Sequence, residues 1–304
     1  MSRAKKVLLS IAGGLLLLVM GVAAYVAAQV LAYDASMEKT YAAVPLPSVV
    51  RSSDPALLAR GKHIVESIGG CRAQDCHGGD LAGGRTIEMG PLGDITGPNI
   101  TPGAPAAAYS DGELARLIRY GIKRDGRSLR FMPAQEIAWL PDADLSALVS
   151  YWRTVTPVKK PDGPVEIGLL AKVLDRRNQI AMDVARRIDH SKFREPSEPA
   201  PTAEYGFLLS RACTGCHGDK LSGGKIPGAP SKFPPPSNLT PHDTGLKDWT
   251  YADFERLLAM GIRKNGKKLD PFMPIESLSK MNALEKQALW AYLRTLPPTP
   301  YGQR

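Results

Sequence analysis

The sequence predicts a mostly α-helical protein, with two tandem domains of about 100 residues behind one N-terminal transmembrane helix. Residues 7–33 contain no charged side chain. A constellation of cysteine, histidine, glycine and methionine recurs in the two halves, with His77 and His217 in equivalent places. Apolar residues between those motifs recur at helical spacing, and no stretch alternates as a strand would.

The first element is the apolar run. Its 27 residues make roughly 40 Å of helix at about 1.5 Å per residue, more than the roughly 30 Å of a bilayer's hydrocarbon core. A cleaved secretory signal has an apolar region of only about 7–15 residues. The expectation is therefore an uncleaved anchor over residues 1–33, and the competing reading is cleavage after Ala24 or Ala28. Arg3, Lys5 and Lys6 precede the run, which keeps the N-terminus on the cytoplasmic side. Residues 34–55, containing proline and alanine, read as a tether.

The first domain is expected over residues 56–157. It opens with a helix over 56–68. Ser110 and Glu113 have capping-box spacing, Leu114, Leu117 and Ile118 share one face, and Gly121 is placed to end that helix. Leu145, Leu148, Val149 and Trp152 mark a closing helix. The second domain, 204–299, repeats the plan with Thr250, Asp253, Phe254, Leu257, Leu258 and Gly261, then Ala288, Leu289, Tyr292 and Leu296. Residues 158–203 form a linker whose ends are rich in proline, lysine and glutamate. Its middle, 167–188, reads as an amphipathic helix with Leu169, Leu170, Val173 and Leu174 on one side, suited to packing between domains or to a partner surface.

The chemistry lies in the repeated motif. Cys213-Thr214-Gly215-Cys216-His217 is a C-x-x-C-H run, the attachment signature of a c-type haem. Its cysteines form thioethers and its histidine is held against the iron. Phe272-Met273-Pro274 then offers Met273 as sixth ligand, and a Met/His pair raises the iron's potential. The upstream copy is Cys71, Cys76 and His77, followed by Phe131-Met132-Pro133. There Arg72, Ala73, Gln74 and Asp75 separate the cysteines. These extra residues must bulge out if two thioethers form; the alternative is a single thioether from Cys76 with Cys71 free.

Zinc is the main rival. A zinc site wants four ligands, usually from two spaced pairs, whereas Cys213, Cys216 and His217 crowd three candidates together. Methionine suits haem iron better than zinc, and the proline after each methionine fixes the adjoining backbone. His63, His190 and His242 are not repeated and read as surface or hydrogen-bonding residues, with His63 the one rival to Met132. Asn99 and Asn238, like Tyr109 and Trp249, are equivalently placed to bond loop backbone, pack the core or meet a haem propionate. All four cysteines fall in the motifs, which leaves none for a disulfide framework. The expected cofactors are two covalently bound c-type haems, with His77, Met132, His217 and Met273 on the irons.

The net charge is +9. Lys123, Arg124, Arg127 and Arg130 precede Met132, and Arg263, Lys264, Lys267 and Lys268 precede Met273. These are either solvated loops or positive collars that steer acidic redox partners. Because the charge sits in the methionine-side loops of an exported chain, nucleic acid is not an expected partner.

Residues 56–297 resemble a membrane-anchored dihaem cytochrome c built from two class I-like domains. The resemblance rests on Cys213-Thr214-Gly215-Cys216-His217-Gly218, the paired Phe-Met-Pro motifs, and the pair Asn99-Ile100-Thr101-Pro102 and Asn238-Leu239-Thr240-Pro241. The chain is also similar to the cytochrome subunits of membrane-bound alcohol and gluconate dehydrogenases, which carry three haem motifs where this chain has two. The resemblance implies an electron carrier rather than an enzyme. It implies a single pass through the bacterial cytoplasmic membrane, with the haem domains on the periplasmic side between a membrane-associated or periplasmic donor and acceptor. The alternative is an electron-accepting cytochrome subunit of a dehydrogenase or respiratory complex. A dihaem peroxidase would need an open sixth position at one haem, and the two methionine candidates argue against it.

Overall fold

The computed structural model describes residues 2–103, 105–191 and 198–304. Part of the proline- and glutamate-rich end of the expected linker, 192–197, lies outside the described residues. The chain is mostly helical. Helix α1, Arg3–Glu38, is long and apolar enough to cross a membrane, a test that a signal sequence also passes. It continues past the apolar run into the segment read as a tether. Tyr33 and Met37 are buried with Met89, Leu92, Ile95, Ala171 and Met182 in a small core. The chain then runs extended over the next helices. The Tyr41 N–H donates to Gly126 O (2.8 Å), the Val50 N–H to Ser146 Oγ (3.1 Å) and the Ser52 N–H to Ser150 Oγ (3.1 Å). Arg51 pairs with Asp111 at 2.8 Å. Residues 34–55 are therefore fastened along much of their length.

The first helical set is α2 (Pro55–Glu66), α3 (Asp111–Tyr120), α4 (Ala134–Ile137) and α5 (Asp142–Trp152). After α6 (Leu169–Arg176), the plan recurs as α7 (Ala203–His217), α8 (Tyr251–Met260), α9 (Ile275–Leu278) and α10 (Ala283–Thr295). Local chemistry sets the ends. Ser110 with Glu113 and Thr250 with Asp253 close full capping boxes. Gly121 and Gly261 end those helices with φ of 64° and 67°, the left-handed conformation glycine tolerates best. Each set has its own core, around Ile64, Leu114, Leu145 and Val149 in the first and Tyr205, Leu221, Phe254 and Leu289 in the second. Ile68 belongs to the second core although it precedes the first motif, and Trp139 packs against both.

Within each set the first and last helices cross closely, α2 on α5 and α7 on α10. Gly61 lies against the Ala147 carbonyl and Gly206 against the Ala288 carbonyl, so neither site has room for a Cβ. Helix propensity alone favours alanine over glycine by about 1 kcal/mol, and overpacking reverses that sign. Gly61→Ala and Gly206→Ala are each expected to destabilise the protein by about 1–3 kcal/mol, read from the urea midpoint.

Two expectations require correction. Strands are present: β1 (Thr86–Glu88), β2 (Gly93–Thr96) and β3 (Val165–Ile167) form an antiparallel sheet in that order, with Ile95 opposite both Ile87 and Val165. Strands of three and four residues are too short to display alternation. The linker helix is also shorter than expected. Ile167 belongs to β3 and α6 has eight residues. Beyond it Asn178 adopts φ 59°. The buried Asp175 carboxylate accepts the N–H groups of Met182 (2.9 Å) and Asp183 (3.1 Å), folding the chain back instead of extending the helix.

Candidate haem centres

In the second half α7 runs through the motif and stops at His217, so Cys213 and Cys216 lie one turn apart on the same helix. His217 is buried, and its Nδ1–H donates to the Ser237 carbonyl at 2.7 Å. That bond fixes the tautomer and leaves Nε2 with a lone pair for a metal. Burial holds the His217 pKa below its ordinary value, which keeps the ring neutral.

The first motif reaches the same outcome by another path. No helix carries it. After α2 the chain turns through Gly69 and Gly70, and the residues between the cysteines loop out. The Cys76 N–H donates to Ala73 O (2.9 Å) and the His77 N–H to Cys71 O (3.1 Å). Arg72 braces the loop with bonds to Gly79 O (2.5 Å) and Tyr151 Oη (2.8 Å). His77 Nδ1–H donates to Pro98 O at 2.9 Å, and burial lowers the His77 pKa as it does in the second motif. Cys71 and Cys76 are close enough that charge on Cys76 raises the Cys71 pKa.

Burial, the largest cause throughout, pushes the Cys71 and Cys213 thiols up to about 12 and the Cys76 and Cys216 thiols up to about 11. Among the described residues no three His, Cys, Asp or Glu side chains converge to hold a metal ion by themselves.

The loops behind the histidines repeat closely. The Gly83 N–H donates to His77 O (3.0 Å) and the Gly223 N–H to His217 O (2.9 Å). Leu81 and Leu221 take φ of 62° and 56°, a conformation that costs a side-chain-bearing residue energy and marks constrained sites. Asn99 and Asn238 bond loop backbone. The Asn99 carbonyl oxygen accepts from the Thr101 N–H (3.0 Å), and Nδ2 donates to Val158 O (2.8 Å). Asn238 does the same to the Thr240 N–H (2.9 Å) and to Thr299 O (2.8 Å). Each asparagine thus ties the loop behind its histidine to the segment that follows the closing helix.

Met132 and Met273 are half-buried and pack against the first and second cores respectively. Both begin a short turn: the Ala134 N–H donates to Met132 O (2.8 Å) and the Ile275 N–H to Met273 O (2.7 Å). Phe131 is held at φ 66°. Tyr109 and Trp249 also pack against the two cores.

The unrepeated histidines are engaged elsewhere. His63 Nε2 meets both Glu285 carboxylate oxygens at 2.8 and 2.9 Å, His190 lies edge-on to Tyr41 and Tyr120, and His242 Nδ1 meets Thr244 Oγ1 at 3.0 Å. The first basic cluster is largely paired: Lys123 and Arg127 with Asp125, Arg127 also with Glu38, and Arg124 with Glu113. In the second, Arg263 donates to Ser237 Oγ and Lys264 to the Asp248 carbonyl, while Lys267 and Lys268 are exposed.

Sequence reasoning missed the residues that join the two motifs. Helix α4, just after Met132, packs on α7. Its Glu136 accepts the Gly215 N–H, and its charge reaches Cys213, Cys216 and Cys76. Burial pushes the Glu136 carboxyl up to about 8 against the opposing pull of Arg211. On the other side, Gly70 before the first motif lies beside Ser277 of α9. The methionine side of each half therefore meets the cysteine side of the other. Arg304 fastens the second motif, donating to Cys216 O (2.7 Å) and Gly224 O (2.9 Å). No spacing or periodicity marks Glu136 or Arg304, because their roles arise only from tertiary contact.

No family model matches the chain. It is 40% identical over 104 residues to the cytochrome c subunit of alcohol dehydrogenase (quinone) from Gluconacetobacter polyoxogenes, 32% of this chain and 22% of the relative. It is 30% identical over 115 residues to the fructose dehydrogenase cytochrome subunit of Gluconobacter japonicus, 33% of this chain and 24% of the relative. It is 35% identical over 94 residues to the gluconate 2-dehydrogenase cytochrome c subunit of Pantoea cypripedii, 29% of this chain and 21% of the relative. The matched segments thus span less than a quarter of these relatives. Its homologues include cytochrome c subunits of dehydrogenases.

Proposed function

We propose that this chain is a membrane-anchored dihaem cytochrome c that carries electrons, with one haem domain over 56–157 and another over 204–299. The observation that carries the reading is the matched pair of histidines, each buried and each with Nδ1–H spent on a backbone carbonyl. Each offers Nε2 to an iron, and each half supplies two cysteines before its histidine and a Phe-Met-Pro loop beyond it. A c-type haem, when bound, supplies a one-electron ferric/ferrous couple.

The chain's own residues do the rest. Cys71, Cys76, Cys213 and Cys216 fix the macrocycles covalently. His77 and His217 are held in one tautomer. Met132 and Met273 would supply sulfur to the irons and would keep the potentials in the range that sulfur ligation favours. The reciprocal contacts through Glu136 and Ser277 would hold the two centres in one unit, as a relay between them requires. The dehydrogenase relatives support a dehydrogenase as donor, with helix α1 keeping the relay at the periplasmic face of the cytoplasmic membrane.

Potentiometric titration of the haem-loaded full chain is expected to show two one-electron steps and no high-spin component. A high-spin haem with peroxide turnover would instead favour a peroxidase.

A further inference from the structure

The two basic clusters form hairpins with the same backbone and different surroundings. In the first, the Lys123 N–H donates to Arg127 O (2.8 Å) and the Gly126 N–H to Lys123 O (2.9 Å). In the second, the Arg263 N–H donates to Lys267 O (2.8 Å) and the Gly266 N–H to Arg263 O (2.9 Å). Gly126 and Gly266 turn the chain at φ of 80° and 79°. What covers one hairpin can therefore be compared with what covers the other.

The first is covered by this chain. Thr40 bridges to Arg127, the Tyr41 N–H donates to Gly126 O (2.8 Å), and Glu38 pairs with Arg127 at 2.8 Å. One residue on, Ser128 is buried and its Oγ accepts the Ala185 N–H (2.9 Å). Asp125 in the turn pairs with Lys123 and Arg127.

The second has none of this cover. Asn265 stands where the first has Asp125, and Lys268 where it has Ser128, so residues 263–268 carry four cations and no carboxylate. A Cβ on Gly266 would meet no atom within 4 Å, whereas one on Gly126 would lie 3.7 Å from Thr40 Cβ. Among the described residues no N–H reaches the Gly266 carbonyl. Lys264 has Asp253 at 4.0 Å, and among the described residues no carboxylate pairs with Arg263, Lys267 or Lys268. Asp270 is turned back to accept the Phe272 N–H (2.9 Å). An uncovered edge is a template for one more extended segment, and the unpaired cations select an acidic one. The first hairpin shows the fit in Glu38, Thr40 and Tyr41.

We propose that the hairpin 261–269 is a docking edge on which a redox partner protein lays an acidic, extended segment, as residues 38–41 lie on the first hairpin. Its consequence for electron transfer rests on the haem reading of the second motif. The hairpin leads into the Met273 loop, and Arg263 donates to Ser237 Oγ (3.3 Å), the residue whose carbonyl holds His217. A partner seated there stands beside the second haem. One electron passes between that haem and the partner's own one-electron centre, the reduced one of the two giving it up. The first hairpin, already covered, offers no such edge.

The test uses full-length haem-loaded protein in detergent and a short fluorescein-labelled peptide alternating aspartate and threonine, followed by anisotropy at low ionic strength. Lys267→Gln with Lys268→Gln is expected to weaken binding about fivefold, the worth of two exposed charge pairs. Lys123→Gln with Arg124→Gln is expected to weaken it less than about twofold. The same peptide methylated on its backbone nitrogens keeps its charge and loses its donors, and is expected to bind several-fold more weakly. Equal weakening by the two pairs of substitutions overturns the second hairpin as the site. Equal binding of the methylated peptide overturns the strand edge and leaves only a positive field. No binding to the unsubstituted chain overturns the docking edge outright. Digestion and mass analysis of the same samples report whether the second motif carries haem. A chain that binds the peptide without haem there overturns the electron route and leaves the docking edge standing.

Discussion

Met273→Ala is expected to open the sixth position of the second haem, turn that haem from low-spin to high-spin and lower its reduction potential. Axial ligation is among the strongest levers on haem potential, which spans about 0.8 V across ligand sets, and methionine stands at the high end. Met132→Ala should do the same at the first haem. The two variants separate the centres. In a redox titration each should displace one of the two steps and leave the other near its original place, since Met132 and Met273 pack against different cores. Each should also let one haem, and only one, take up carbon monoxide after reduction. Neither side chain is deeply buried, so the fold is expected to survive. If Met132→Ala left both steps and the spectrum unchanged, another group would be the first iron's ligand. His63 is the rival by sequence, but its Nε2 is turned to Glu285.

Glu285→Ala is expected to cost about 2–3 kcal/mol, the usual range for losing hydrogen bonds to a buried charged group. Glu285 is 1% exposed. One oxygen accepts the Asn282 N–H at 3.0 Å, closing the capping box of α10. Across the junction both oxygens meet His63 Nε2 of α2, and the Arg60 guanidinium lies 3.7 Å away. The substitution therefore uncaps a helix of the second half and removes the partner of the His63 ring, while Arg60 keeps its pair with Asp144. Glu285→Gln, which retains the cap but not the charge, should cost roughly half as much. Urea unfolding of the haem-loaded protein measures both. A loss below about 1 kcal/mol for the alanine variant would mean that the two halves do not depend on this junction for stability.

Whatever depends on local chemistry could be read before the fold was known. Ser110 with Glu113 and Thr250 with Asp253 announce helix starts because a side chain must satisfy free N–H groups three residues on, and Gly121 and Gly261 announce ends because the chain there turns left-handed. The equivalence of His77 and His217 extends from sequence to a shared Nδ1 bond. Features set by distant partners could not be read. Residues 39–54 look like a tether because their hydrogen-bond partners, Ser146 and Ser150, lie about a hundred positions away. The linker pattern overstated α6 because Asp175 bonds backbone further along. Glu136 looks like an ordinary surface acid until α4 is laid on α7.

The most direct measurement is the intact mass, under denaturing conditions, of protein matured in a host with cytochrome c assembly machinery. Two covalent haem increments on one chain are predicted, with the looped-out first motif loaded as fully as the regular second one. The same spectrum reports whether residues 1–24 or 1–28 have been removed. One increment would leave the first half without its centre and abolish the relay, and none would contradict the cytochrome reading itself.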